Sequence, residues 1–331
     1  MLNNRQSIPL IPMRFIFRAD ASKEIGSGHV MRSSVLAEEA ISRGHETIYI
    51  GVISDLDWVS SRVVNLGFSS MFRNEREFVS NPLTDILILD SYEFPESSAF
   101  ISEANWKYIL NIADAVTPKY KSDASLLPSL DVQQNPTLGP KVLSGPDYIL
   151  TRAGITKSQR IESEHEPLRV MAVGGGSDPY GFVKEITKVI SDLGIAVELH
   201  SFTDEELLPS ETVKICKHPI GPEFDYWANE VDLVLTTAST TSMEFIAREV
   251  PIGVVCAVDN QRDYYERLGK LGLVSQIGVL ETSGEWQFNL NEIIDLLSDA
   301  GKRARLRDRT KGLIDLKGAS RIIDFLEKAA K

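Results

Sequence analysis

Cysteine is scarce in this chain. Cys216 and Cys256 are the only two among 331 residues, and they lie far apart in the sequence. Disulfide frameworks and thiolate metal sites need several cysteines at short spacings, and no run of histidines and carboxylates has the spacing of metal ligands. We therefore expect a protein without metal or cofactor, from a reducing compartment such as the cytoplasm.

Long apolar runs are also missing. A membrane-spanning helix needs roughly 18 or more consecutive apolar residues, and no stretch of this sequence provides them. Residues 1–13 contain one arginine and a few apolar residues interrupted by Pro9 and Pro12, which is not the pattern of a secretory signal. The sequence thus predicts no integral membrane segment, and residues 1–13 are expected to be a short extension.

Positive charge is in deficit. The chain has 35 Lys and Arg against 47 Asp and Glu, a net charge of −12. Nucleic-acid and anionic membrane surfaces need clustered Lys and Arg, so this balance argues against a nucleic-acid partner, while a local basic pocket for one diphosphate stays open. The 43% apolar and 25% charged residues are ordinary for a globular protein. We expect two domains from the length, and a monomer or weak oligomer.

A strand, a glycine loop and a helix follow one another near the start of the sequence. Residues 15–17 are aromatic and β-branched, and the apolar spacing of residues 30–41 predicts a helix. Gly26 and Gly28 let the backbone approach a ligand, and the helix N-terminus attracts anions. His29 lies on the first turn, where the helix dipole favours an uncharged imidazole, so it is a candidate general base. Alternatively, the loop only makes a turn and His29 is a cap or is solvated.

Two motifs around this loop resemble a known family. They read Arg18-Ala-Asp-Ala-Ser22 and Ile25-Gly-Ser-Gly-His-Val-Met-Arg32, and they are similar to the opening of the UDP-sugar hydrolases of pseudaminic acid biosynthesis. Those enzymes and their spore-coat polysaccharide relatives resemble the lipid-intermediate glycosyltransferase of peptidoglycan synthesis. The resemblance implies an α/β fold of the GT-B type, with two Rossmann-like domains facing across a cleft. It makes His29 and Asp20 the expected catalytic residues, Gly28 a UDP contact and Arg18 a sugar contact.

A second candidate site lies after a buried strand. Residues 86–89 form a continuous apolar run that delivers Asp90 and Tyr92 at its carboxyl end, where ligands of open α/β sheets bind. The family carries a similar Asp-x-Tyr, so we predict that Asp90 contacts the sugar and that Tyr92 takes part in catalysis. The alternative is that Asp90 caps a turn or the next helix.

The chain divides at a polar segment. Residues 154–167 lack periodicity and end in a proline, which predicts a linker between a first domain over residues 14–153 and a second over residues 168–315. The last apolar-periodic stretch predicts a helix within residues 316–331, which could pack back on the first domain.

The second domain opens on another strand, glycine turn and helix. The turn reads Gly174-Gly-Gly-Ser-Asp-Pro, and we predict that Gly175, Gly176 and Ser177 contact UDP, although the glycines could simply permit a tight turn. Further along, a loop resembles the segment that lies along the uracil in nucleotide-sugar enzymes, and it contributes Ile220.

A hydroxyl-rich turn follows a buried strand in the second domain. Ser239, Thr240 and Thr241 precede a helix whose N-terminus suits a diphosphate, and Glu244 one turn later can accept both ribose hydroxyls, as the matching glutamate does in the resembled families. Plain helix capping is the alternative for the hydroxyls. Asn260 and Gln261 end the next strand and match carboxamides that face the sugar in relatives.

The sequence therefore predicts a hydrolase that cleaves the anomeric C–O bond of a UDP-linked acetamido-deoxysugar with water, by inversion. His29 would take the proton of that water. The leading alternative is a GT-B glycosyltransferase, in which the hydroxyl of an acceptor replaces water. A third interpretation is a non-catalytic binder of nucleotide sugars, against which the presence of His29 and Glu244 argues.

Overall fold

The computed structural model describes residues 13–23, 25–91, 98–102, 105–113, 122–130, 141–162, 167–175, 178–219, 221 and 223–331. Expectations for residues 1–12 and for Tyr92, Gly176, Ser177 and Ile220 lie outside these ranges. The described chain forms two compact units. The first runs up to Arg152 and takes in Lys317–Lys331, and the second is Ala153–Leu316.

The first unit is built on a parallel sheet buried on both faces. Its strands are β1 Arg14–Ala19, β2 Glu46–Ile50, β3 Ser70–Phe72, β4 Asp85–Asp90, β5 Tyr108–Ile112, β6 Ala124–Leu126 and β7 Val142–Leu143, in the order β3-β2-β1-β4-β5-β6-β7. Alternate residues of one strand enter different cores, because side chains of a strand point to opposite faces. Phe15 and Phe17 lie in one apolar cluster and Ile16 in another.

The helices of the first unit follow from the same apolar spacing. They are α1 Gly28–Ser42, α2 Asp57–Asn65, α3 Ala99–Ser102 and the last helix of the chain, α10 Gly318–Ala329. The apolar residues Ile322, Ile323 and Leu326 of α10 are buried in the same cluster as β1 and α1. Arg43, just after α1, adds ion pairs to two acidic residues of α10, Asp324 at 2.6 Å and Glu327 at 3.1 Å. The C-terminal helix is therefore part of the core of the first unit.

The second unit repeats the plan. Its strands are β8 Leu168–Val173, β9 Val197–Ser201, β10 Val213–Lys217, β11 Leu233–Thr237, β12 Ile252–Cys256, β13 Ser275–Leu280 and β14 Trp286–Phe288, in the order β10-β9-β8-β11-β12-β13-β14. Only β14 of the described strands of this unit runs antiparallel to its neighbour. The helices are α4 Phe182–Leu193, α5 Glu223–Glu230, α6 Thr240–Arg248, α7 Arg262–Lys270, α8 Leu290–Ser298 and α9 Ala300–Thr310.

The two sheets share one strand order, in which the fourth strand of each unit pairs with the first. The order of the strands therefore reverses between β1 and β4, and again between β8 and β11. Such a reversal, or switch point, splays the loops at the carboxyl ends of the two strands apart and leaves a crevice where ligands bind. The topology thus defines one candidate site in each unit.

The polar segment predicted as a linker is anchored to the second unit over its described part. Ser158 N–H donates to Arg248 O at 2.8 Å, and Arg160 Nε donates to Asp232 Oδ1 at 2.9 Å. Glu162 pairs with Arg303 of α9. A linker function for residues 154–167 stays a prediction, but residues 158–162 are held by side-chain contacts despite their lack of periodicity.

We compared the helices with the length and apolar character that a membrane-spanning helix needs. Over the described ranges, none of them combines the length and the apolar character needed to cross a bilayer.

Candidate active site

The switch point of the first unit brings together the residue that ends β4 and the first turn of α1. Asp90 is the last residue of β4, and His29 is the second residue of α1. β1 pairs with β4 in parallel, with Ala19 opposite Asp90, so the loop from β1 returns α1 above the end of β4. Topology therefore places side chains that are far apart in sequence at one point.

A buried, hydrogen-bonded cluster of three side chains occupies this point. His29 Nδ1 lies 2.5 Å from Asp90 Oδ1, and Arg32 donates from Nη2 to Oδ1 at 2.7 Å and from Nε to Oδ2 at 3.0 Å. His29 is 5% exposed, Arg32 8% and Asp90 0%. Because a buried carboxylate is costly without a compensating charge, the two bonds from Arg32 stabilise Asp90 in this position.

The partners fix the tautomer of His29. An ionised carboxylate only accepts hydrogen bonds, whereas a guanidinium only donates them. Arg32 Nη2 also lies 3.1 Å from His29 Nδ1, but Nδ1 must carry a proton in order to bond Asp90, so this contact is not a second hydrogen bond. In the neutral ring, Nε2 is then the nitrogen with a lone pair, the state that a general base requires.

Asp90 was predicted to contact a sugar directly. That role stays a prediction, but full burial leaves the carboxylate no exposed surface, and both of its oxygens bond protein groups. Its position instead favours a role in orienting His29. Arg32 was not singled out from the sequence, although its spacing of three residues from His29 puts both side chains on one face of a helix.

Arg18 and Asp20 form a second ionic group at the end of β1. Arg18 Nη1 donates to Asp20 Oδ2 at 2.5 Å, and Arg18 Nε donates to Glu75. Burial alone lowers the pKa of Arg18, but the carboxylates of Asp20 and Glu75 outweigh it and raise the pKa. Asp20 Oδ1 also accepts from Val52 N–H at 2.8 Å. These bonds join the β1 loop to the segment after β2, and Glu75 is a partner that the sequence gave no reason to expect.

The switch point of the second unit joins the turn after β8 to the turn after β11. Gly175 has φ of +91°, a conformation that glycine adopts readily, and a Cβ atom on it would lie 3.9 Å from Thr237 Oγ1. Gly174 has a different constraint, because a Cβ there would meet the carboxylate of Asp178 at 2.0 Å. The tight-turn explanation therefore applies to Gly175 through its φ, and the close approach of Asp178 accounts for Gly174, while Gly175 also lies beside the end of β11.

The two helix N-termini at this switch point are capped differently. Asp178 accepts from Phe182 N–H and Val183 N–H at 2.9 Å, so a carboxylate caps α4. Burial is the main cause of the raised pKa of Asp178, and the two backbone donors oppose it. At α6 the cap is uncharged, since Ser239 Oγ accepts from Thr241 N–H at 3.3 Å. The capping alternative for Ser239 is thus observed.

The remaining predicted residues lie on α6 and after β12. Thr240 and Glu244 are four residues apart on α6 and share a face of the helix, with Thr240 exposed and Glu244 half-buried. Asn260 is exposed, and Gln261 Oε1 accepts from Ala257 N–H at 3.0 Å, which ties the end of β12 to the start of α7.

Comparisons with known proteins concern the fold. No protein-family model and no curated protein matches the chain. MurG from Acinetobacter baumannii is similar in structure, with a TM-score of 0.64 and 12% identity, covering 96% of this chain and 100% of that one. The glycotransferase of kitacinnamycin has a TM-score of 0.63 at 14% identity, with coverages of 96% and 99%. UGT2 of Phytolacca americana, solved with UDP-2fluoro-glucose and pterostilbene, has a TM-score of 0.60 at 10% identity. The match covers 96% of this chain and 99% of that one.

These structural neighbours are glycosyltransferases of the GT-B fold, and the chain has that fold. The predicted α/β class with two Rossmann-like domains is therefore confirmed. At such low identity the likeness extends to the fold alone, and none of these findings supports the UDP-sugar hydrolase family in particular.

Proposed function

We propose that this chain is a glycosyltransferase that moves a glycosyl group from a UDP-sugar to a hydroxyl of an acceptor. The observation that carries the proposal is the buried cluster of His29, Asp90 and Arg32 at the switch point of the first unit. A base oriented by a second, buried group is the arrangement that activates a weak nucleophile such as a hydroxyl.

The proposed reaction needs one proton transfer at His29. Nε2 takes the proton from the hydroxyl of the acceptor. At the same time, the hydroxyl oxygen bonds to the anomeric carbon of the donor. The bond from that carbon to the diphosphate oxygen breaks, and UDP leaves with the electron pair, so direct displacement inverts the anomeric centre. Asp90 stabilises the imidazolium that forms, and the bonds from Arg32 keep the carboxylate aimed at Nδ1.

We assign the nucleotide to the second unit, at α6 rather than α4. A negative group is disfavoured at the N-terminus of α4, because the Asp178 carboxylate already bonds its first N–H groups. The N-terminus of α6 carries only hydroxyls, from Ser239, Thr240 and Thr241, so it suits a diphosphate. Glu244 lies one turn further along the same face and is assigned to the ribose hydroxyls.

The fold adds support to the choice of donor. The neighbouring UGT2 structure contains a UDP-sugar analogue, and the fold of that protein matches nearly the whole of this chain. We therefore keep UDP as the nucleotide, with Gly175, Asn260 and Gln261 as further proposed contacts to the donor.

Hydrolysis of a UDP-sugar is the second candidate function. The motifs from Arg18 to Arg32 favour it, because they resemble the opening of a family of UDP-sugar hydrolases. The same base would then activate water, and no acceptor would be needed.

Release of UDP from a panel of UDP-sugars distinguishes the two functions. The full chain is incubated with each donor, with and without a panel of sugar and phenolic acceptors. Transfer predicts that UDP release depends on an acceptor and that a glycosylated product appears by mass spectrometry. Release at the same rate without any acceptor, together with free sugar, would establish hydrolysis instead. Binding of UDP without turnover of any donor would contradict both.

A further inference from the structure

A group of metal-ligand side chains lies on the outer strands of the second sheet. Glu198, His200 and Cys216 each offer one ligand atom, and these atoms lie within 4.8 Å of one another. We refer to these three residues as the edge cluster. It belongs to β9 and to β10, the strand at the edge of the sheet, whereas the proposed donor contacts follow β8, β11 and β12.

The register of two parallel strands brings the edge cluster together. β9 pairs with β10 so that Cys216 is opposite His200 and Lys214 is opposite Glu198. Side chains alternate between the faces of a strand, so Glu198 and His200, two residues apart, point to the same face. Cys216 then projects beside them from the neighbouring strand.

His200 is held in a fixed orientation by its surroundings. It is fully buried, with Nε2 3.0 Å from Glu198 Oε1 and Nδ1 2.9 Å from His218 Nε2. The rings of His200 and His218 are parallel within 2°, and the Trp227 ring lies 4.2 Å from that of His200 between centroids. If Nδ1–H donates to His218, Nε2 keeps a lone pair on the side of Glu198, and His200 can then act as a metal ligand with His218 as its outer partner.

We propose that Glu198, His200 and Cys216 bind a divalent cation of the zinc class. Imidazole nitrogen, thiolate sulfur and a single carboxylate form a mixed donor set that suits Zn²⁺ rather than Mg²⁺ or Ca²⁺, which take oxygen ligands. Tetrahedral zinc has ligand atoms about 3.3–3.8 Å apart, from metal–ligand lengths of about 2.0–2.3 Å. Binding would therefore require side-chain rotations of Cys216 and Glu198, both half-buried, to close the cluster to that size.

Two cations compete for the same carboxylate. Lys214 Nζ donates to Glu198 Oε2 at 2.7 Å, and Arg169 Nε lies 3.9 Å from Glu198 Oε1. Lys214 is exposed and uses the other oxygen, so the ammonium and the metal can share Glu198. The positive charge of Lys214 would still repel a bound cation, so Lys214→Ala should tighten metal binding.

Titration of the metal-free full chain with Co²⁺ tests the site, because a cobalt–thiolate bond gives a charge-transfer absorption in the near ultraviolet. We expect one equivalent of Co²⁺ to produce that band and Zn²⁺ to abolish it by displacement. Cys216→Ser should lose the band and weaken Zn²⁺ binding at least tenfold by calorimetry. Cys256→Ser, which alters the other cysteine, is the matched control and should retain both.

Glu198→Gln provides a second test that keeps the buried His200 ring and the half-buried His218 ring in the sequence. It should weaken Zn²⁺ binding while the circular dichroism spectrum stays that of the wild type. Absence of the thiolate band in the wild type, or equal Zn²⁺ affinity in wild type and Cys216→Ser, would overturn the proposal. These outcomes are independent of the proposed transferase reaction, because no step of it involves the edge cluster.

Discussion

At the scale of single residues, the central observation concerns a carboxylate that touches only protein groups. Asp90 ends a buried strand at the place where ligands of α/β proteins bind, and it is nevertheless completely enclosed. Its bonds to His29 and Arg32 make it a positioning residue in the proposed reaction. Substitution of His29 and substitution of Asp90 should therefore have different effects.

Replacement of His29 by alanine should remove the base and leave the nucleotide site intact. We expect kcat to fall by ~10²-fold or more, the usual effect of losing a positioned base, while the affinity for UDP stays within a few-fold of the wild type. Steady-state kinetics and calorimetry with UDP give the two numbers. Unchanged kcat would rule out His29 as the base.

Replacement of Asp90 by asparagine should affect both catalysis and stability. Asparagine has no charge to match Arg32, and removal of one partner of a buried ion pair typically costs about 3–5 kcal/mol. Without the carboxylate, the His29 ring loses the partner that holds its orientation and keeps its proton on Nδ1. We therefore expect kcat to fall at temperatures where the variant is still folded. Chemical denaturation and kinetics on the same sample separate the two effects. A stable variant with normal kcat would contradict the role of Asp90.

Replacement of Glu244 by alanine should have the opposite kinetic signature to His29→Ala. A carboxylate that accepts ribose hydroxyls contributes roughly 1.5–3 kcal/mol, so UDP should bind about 10- to 150-fold more weakly, with little change in kcat at saturating donor. Calorimetry with UDP measures the loss. Equal affinity in the two proteins would remove Glu244 from the nucleotide site.

At the scale of elements, α10 shows how a distant segment completes a core. Leu326 is fully buried, whereas Lys328, two residues further on, is exposed. Leu326→Ala should therefore destabilise the first unit by about 2–5 kcal/mol, while Lys328→Ala should change its free energy of unfolding by less than ~0.5 kcal/mol. Urea denaturation followed by circular dichroism tests the pair. A similar small effect of both substitutions would mean that α10 is not part of the core.

At the scale of the whole molecule, the second unit is one continuous segment and the first is not. Ala153–Leu316 contains its entire sheet and a continuous apolar core, whereas the first unit needs Lys317–Lys331 from the far end of the chain. A fragment of residues 153–316 should hence fold alone with a single cooperative transition, and it should bind UDP if the nucleotide site is assigned correctly. Thermal unfolding and calorimetry of the fragment are the measurements. A fragment that folds but does not bind UDP would contradict the assignment to α6.

Local patterns predicted the elements of this fold accurately. The apolar run over residues 86–89 lies within β4, and the spacing over residues 30–41 lies within α1. Short segments suffice for such predictions, because a strand buried on both faces leaves a continuous apolar run in the sequence and a helix buried on one face leaves a period of about 3.6 residues. The family resemblance then implied the α/β class, and the length and the polar segment over residues 154–167 predicted the two domains.

The pairing of distant residues could be decided only by the tertiary structure. Arg32 and Asp90 meet because β1 pairs with β4, and Cys216 meets His200 because of the register between β9 and β10. No local period encodes a partner on another strand, so the sequence suggested a sugar contact at Asp90 and no metal ligand at all. His29, in contrast, was predicted as a base from its own neighbourhood and the family resemblance, since a glycine loop and a helix N-terminus are local features. Sequence therefore determined which groups stand at the ends of the elements, and the packing of the sheets decided which of those groups bond one another.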